Sequence, residues 1–156
     1  MKGIVLAEQG HFVNLVPPVD ITGGVTGDRF SMKNYAHATI VIQVGVSAAA
    51  WTAIILRECN AATGGTATDI AFTMAKEETA LGDTLGALAA VAAAGYTPSA
   101  NNSIMYVIEL DAQALTDGYE WVELALTNGV NSVIASAVAI LTGARYQDDA
   151  TRTAIV

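Results

Sequence analysis

This chain is poor in the residues that carry chemistry. Of its 156 residues one is cysteine, two are histidine and three are proline, and only 6% are aromatic. The single cysteine, Cys59, excludes an intrachain disulfide and reads as a small apolar packing residue. Basic residues number 7 against 15 acidic ones, a net charge of −8. Without a clustered lysine and arginine footprint, no nucleic acid and no anionic membrane is expected as a partner. No apolar run approaches the roughly 20 residues of a spanning helix. The opening MKGIVLAEQGH has only Ile4–Ala7 as an apolar core before Glu8, too short for a signal peptide. The expectation is a chain made in the cytoplasm that stays soluble until it assembles.

Site motifs are missing too. There is no GxxxxGK[ST] loop, no GxGxxG between a strand and a helix, and no GxSxG elbow. His11 and His37 lie outside any metal-ligand spacing, and His37 reads as a surface or interface residue. The pairs Glu77–Glu78 and Asp148–Asp149 lack an EF-hand loop, so solvated charge is the better reading than calcium. Glu109, Asp111, Asp117, Glu120 and Glu123 could approach one another in space, and sequence leaves their separations open. Trp51, Tyr106, Tyr119 and Trp121 read as strand packing residues rather than a sugar-stacking platform. No catalytic, cofactor-binding or metal residue is assigned, no cofactor is expected, and the chain is not expected to be an enzyme.

What the chain does have is apolar surface. Hydrophobic residues make up 53% of it against 14% charged, more than a single domain of this size covers by itself. Homo-oligomerisation is expected for that reason. The pattern is organised around Tyr35–Gly65, where the apolar runs Ala38–Val44 and Trp51–Leu56 flank the small-residue link Val46–Ala50. These read as two neighbouring strands. Ile40, Ile42 and Val44 alternate with Thr39, Val41 and Gln43, so one face is buried. Further strands are predicted over Ile70–Ala75, Ile104–Leu110, Tyr119–Thr127 and Val133–Thr142. Asn128–Gly129 predicts that the last two pair as an antiparallel hairpin. Asp111–Leu115 reads as one helical turn with Asp111 as its N-cap. Ala80–Gly95 mixes alanine with Gly82, Gly86 and Gly95 and reads as irregular or strand.

Residues 1–30 carry Pro17–Pro18 and Gly23–Gly24, too broken for a domain of their own. They are assigned as an extended N-terminal arm, with an edge strand of the same domain as the alternative. Residues 31–146 form a β domain and residues 147–156 a C-terminal tail. At least six strands with short, turn-rich links predict an all-β fold, an antiparallel β-sandwich or jelly roll.

Six stretches, NLVPPVDITGG, GDRFSMKNYAHATIVIQVGV, ECNAATG, GDTLGA, YVIELDAQALTDGY and SAVAILTGARY, together resemble a family of tailed-bacteriophage virion structural proteins. The resemblance runs from about Val13 to Tyr146 and rests on packing and turn residues. Within that family it is most like head decoration or cement proteins. It implies a β-sandwich that binds the major capsid protein on the virion surface and associates with itself as a trimer or dimer. A tail or tail-tube component is the alternative within the family, and a receptor- or glycan-binding sandwich the alternative outside it. The arm would clamp the shell, so deleting residues 2–20 would abolish capsid binding and leave the β domain folded.

Overall fold

A computed structural model of the chain describes residues 3, 5–78, 84–146 and 154–155. Among these the fold is an all-β sandwich of two antiparallel sheets. A single helical turn, Leu6–Gln9, precedes β1 (His11–Asp20). The two-residue strands β2 (Val25–Thr26) and β3 (Phe30–Ser31) come next. The strands β4 (Tyr35–Ser47), β5 (Ala53–Cys59), β6 (Ala67–Ile70) and β7 (Phe72–Glu77) follow, then β8 (Ala89–Val91) and β9 (Ile104–Asp111). A 3-10 turn, Ala112–Ala114, leads to β10 (Trp121–Thr127) and β11 (Val133–Ala144). One sheet has the order β1-β11-β4-β9-β7-β8; the other has β2-β10-β5-β6, with β3 also on β10.

The core forms where the period-2 alternation of each sheet turns its apolar set inward. From the six-stranded sheet come Ile40, Ile42, Tyr106, Ile108, Ala137 and Ala139; from the other come Ile54, Leu56, Val122, Leu124 and Leu126. All of these are essentially inaccessible. Phe30, Tyr35 and Trp51 are buried with them, Trp51 meeting Tyr106 edge-on at 6.5 Å between ring centroids.

Strand positions follow the alternation; strand partners do not. Ala38–Val44 and Trp51–Leu56 are neighbours in the chain but lie in opposite sheets. β4 is flanked on both edges by β11 and β9, and β5 by β10 and β6, so neither has an edge free for the other. The link between them crosses the sandwich, with Ser47 and Trp51 both buried and the Ser47 N–H donating to Asn102 Oδ1 at 2.7 Å. The expected hairpin of β10 and β11 is likewise absent, because each belongs to a different sheet. The Asn128 side chain holds the link instead, accepting from the Gly129 N–H (2.9 Å) and donating to the Asn131 carbonyl (2.8 Å). Gly129 is not among the positive-φ glycines, so the tight primed turn of a two-residue hairpin does not form. Ile70–Ala75 is not one strand: it breaks at Ala71, where the chain passes from one sheet to the other.

Residues 11–30 are no free arm. β1 pairs with β11 along the edge of the larger sheet, from His11 opposite Leu141 to Asp20 opposite Ile134. Val13, Leu15, Val16 and Ile21 are buried in the common core, and β2 and β3 add to the smaller sheet. Two register irregularities let the strand carry Pro17–Pro18, both exposed at an edge where no ladder donor is needed. At its end Asp20 accepts from Ser132 Oγ (2.6 Å) and Thr22 Oγ1 (2.8 Å). Those bonds, Ser132 first, hold its carboxyl down at about 2.

Of the tail, residues 147–153 and 156 lie outside the described residues, as do residues 79–83 of the glycine–alanine stretch. Ala154 is buried and its carbonyl accepts from the Ser31 N–H at 2.8 Å. Residues 84–88 take no regular structure before the short edge strand β8. The turn after β9 forms as expected, but the Asp111 side chain does not cap it; it turns to His37. No described helix is long and apolar enough to cross a membrane.

Candidate interaction surface

The outer side of the six-stranded sheet is the surface that stands out. Register places Val138, Val41, Val107 and Ala75 in one row across β11, β4, β9 and β7 on the side away from the core, with Val41 and Val138 half-buried and Val107 and Ala75 buried. An outer sheet face is ordinarily polar, and this row is wholly apolar. Phe12 on β1, opposite Ile140, extends the apolar character toward the edge and is half exposed.

Toward one end the sheet opens into a cleft of about 430 Å³ lined by Pro18, Gln43, Gly45, Met105, Ile134 and Ser136, among others. A bulge makes it. Between Val44 and Ser47 β4 spends one more residue than β11 does between Ala135 and Val133, so Gly45 and Val46 both face outward. Gly45 contributes no side chain, and a Cβ there would meet Ile134 at an ordinary van der Waals distance of 3.7 Å. Val46 is 68% exposed and Ile134 39%, a high fraction for β-branched aliphatic residues in strands.

Toward the other end the same face is polar. His37 on β4 sits between two carboxylates of β9, its Nε2 2.6 Å from Glu109 Oε2 and its Nδ1 2.7 Å from Asp111 Oδ1. Thr39 Oγ1 donates to the same Glu109 oxygen at 2.7 Å. Two acceptors on one imidazole require both ring nitrogens to carry protons. Burial opposes the charged ring, but the hydrogen bonds to Asp111 and Glu109 outweigh it, and the pKa is raised above its ordinary 6.5.

The sign of the pH dependence follows. The clamp contributes fully below about pH 6.5, the unfolded value, and fades as pH rises through the raised folded one. At this partly exposed site the contribution is on the order of 0.5 kcal/mol. Thermal melts of parent and His37→Gln between pH 5.5 and 9 are expected to converge at the alkaline end. A constant gap across that range would mean that ring protonation is not involved.

The five carboxylates considered from sequence separate into three places. Glu109 and Asp111 flank His37. Asp117 and Glu120 line a second, mixed-charge cleft of about 400 Å³ with Lys33, Tyr119 and Arg145, Glu120 lying 3.7 Å from Lys33 Nζ. Glu123 is on the outer side of the smaller sheet. There it accepts from Arg29 Nε (2.8 Å) and Arg57 Nη1 (3.2 Å), while Arg57 Nε donates to Asp69 at 2.8 Å. Arg29 also donates to the carbonyls of Ala61 and Gly64, fastening the loop after β5. This ladder was not legible in sequence, because its members come from three strands and a loop. Glu123 is buried, so Glu123→Ala leaves two guanidinium groups facing each other and is expected to cost about 3 kcal/mol in thermal or urea unfolding. A loss under about 0.5 kcal/mol would mean that the ladder is solvated and idle.

Glu77 and Glu78, read as solvated, do not share a site: Glu77 is buried and accepts from the Thr84 N–H, and Glu78 pairs with Lys76 at 3.1 Å. Asp148 and Asp149 lie outside the described residues. His11 stacks on Tyr35, and Cys59 is buried, which pushes its thiol pKa up. Trp51 is 2% exposed, so the platform a glycan-binding reading would need around it is not there. Trp121 is half-buried, and Tyr119 lies just before β10 rather than on a strand. Among the described residues no group of three or more histidine, cysteine, aspartate or glutamate side chains is placed to hold a metal ion.

Fold and surface together define an all-β antiparallel sandwich whose larger sheet has an outer face that is grooved with exposed apolar residues toward one end and polar toward the other. No protein-family model matches the sequence, and no curated protein matches it.

Proposed function

We propose that this protein is a virion structural protein, a decoration or cement protein that binds the major capsid protein of a tailed-bacteriophage head and associates with copies of itself. The sequence resemblance supplies the class. The observation that carries a docking role is the outer face of the six-stranded sheet, where Val46 and Ile134 stand exposed beside the cleft and Phe12 beyond it. Burying such residues against a neighbour contributes roughly 25 cal/mol per Å² of apolar area, a gain the isolated domain forgoes. The His37 clamp at the far end of the same face would give the contact a polar boundary.

The test is co-sedimentation of the purified protein with phage head shells lacking it, alongside a Val46→Lys/Ile134→Lys variant. The parent is expected to sediment with shells and the variant to bind at least tenfold more weakly, with both melting at similar temperature. Equal binding of the two would remove this face from the contact. Parent protein that ignores shells but decorates tails would transfer the assignment to the tail, and binding to neither would end the virion reading. Light scattering on a sizing column reports self-association directly.

A further inference from the structure

The larger sheet ends at β8, an edge with neither proline nor charge to shield it. Among the described residues no strand lies beyond Ala89–Val91, which pairs with Phe72–Met74 of β7 on its other side. The Gly86 N–H donates to the Lys76 carbonyl at 2.9 Å, so the chain already follows β7 before β8 begins. From Leu85 to Ala94 no side chain is polar, and from Thr84 to Ile108 none is charged. Yet this run lies largely in the open. Leu85 is 41% and Leu88 57% exposed, and Gly86, Ala87, Ala89 and Ala90 are exposed with them. Edge strands are ordinarily protected by proline, bulges, charge or brevity. β1 carries Pro17–Pro18 and two register irregularities, and β6 carries Asp69 paired with Arg57. β2 is two residues long and follows Gly23–Gly24. β8 is short too, but the residues leading into it are apolar and extend the bare edge.

We propose that β8 is a self-association edge, on which the same strand of a second copy pairs antiparallel and continues the sheet across a two-fold axis. Charge selects the occupant. Each copy carries a net charge of −8, so two copies repel over most approaches, and the uncharged run is where they meet at least cost. An antiparallel strand is its own partner under a two-fold rotation, so one patch serves both copies and the pair closes as a dimer. Leu85 and Leu88 gain there the burial they lack in the single chain, and the alanines beside them are too small to hinder a second strand. Pairing this short belongs to the small, transient class of interfaces, and its population rises with concentration. It gives the self-association proposed above a surface, and rests on that part of the reading alone.

Analytical ultracentrifugation of the purified chain, with no shells present, decides it. The parent is expected to pass from monomer to dimer between about 1 and about 200 µM, and Leu85→Lys/Leu88→Lys to need about tenfold higher concentration. Both leucines are exposed, so the two proteins should melt together. Each lysine also lowers the net negative charge, so a change in overall repulsion would strengthen the variant's association rather than weaken it. Amides of residues 86–91 should exchange more slowly in the parent at high concentration than in the variant. Val46→Lys/Ile134→Lys is expected to dimerise as the parent does, which separates this edge from the shell-binding face. A parent still monomeric at about 200 µM, or one that assembles as a trimer, overturns the proposal. So does a Leu85→Lys/Leu88→Lys variant that dimerises like the parent, or a dimer lost in Val46→Lys/Ile134→Lys instead.

Discussion

Removing residues 2–20 is expected to destroy the fold, not merely detach an appendage. Val13, Leu15 and Val16 are buried in the shared core, and the backbone of β1 supplies the outer partner of β11. Three such side chains contribute roughly 2 kcal/mol each through burial alone, and domains of this kind have only about 5–15 kcal/mol in total. Loss of the strand also bares the ladder edge of β11, a template for aggregation. Far-UV circular dichroism and thermal melting should show a chain without a cooperative transition. Leu15→Ala is the milder version, with an expected cost of about 2–4 kcal/mol. A truncated chain that still melts cooperatively within a few degrees of the parent would restore the reading of these residues as a separable arm.

Gly95→Ala is expected to be the most damaging single-methyl substitution. Gly95 has φ +89°, a region an L side chain rarely adopts, and an added Cβ would lie 2.6 Å from the Ile54 carbonyl oxygen and 2.8 Å from Ile55 Cγ1. The oxygen cannot retreat cheaply, since it accepts from the Tyr96 N–H at 3.0 Å in the bridge that extends the edge of β5. Backbone strain and the clash together should cost about 3 kcal/mol and lower Tm by on the order of 10 °C. Amide exchange at Ile54 and Tyr96 should accelerate beyond the global change. Gly118→Ala is the control: its φ is +86° but nothing lies within 4 Å of the added methyl, so only the strain of about 1 kcal/mol is expected. Equal losses for the two would show that conformation alone matters and that the close approach to β5 does not.

The candidate surface was partly legible. Val133–Thr142 reads as apolar on both faces, and its outward residues Ile134, Val138 and Ile140 are indeed the ones on the unusual side of the sheet. The bulge at Gly45–Val46 that opens the cleft has no local signature beyond a glycine, because it is defined only against the register of β11. The His37 clamp was hidden for the same reason. Asp111 reads as a helix cap from its neighbours in sequence, yet the imidazole 74 residues away is the better partner for its carboxylate.

Alternation along each run fixed by itself where the main strands lie and which side of them is buried, as Ile40, Ile42 and Val44 or Ile104, Tyr106 and Ile108 illustrate. That signal is local, since successive side chains of an extended chain must point to opposite sides. Which sheet each strand joins was settled only by the tertiary structure. β4 and β5, and again β10 and β11, follow one another closely and still separate across the core. A strand offers the same ladder of donors and acceptors to any partner. Its neighbour is therefore chosen by how the whole apolar set closes, and no short stretch of residues contains that information.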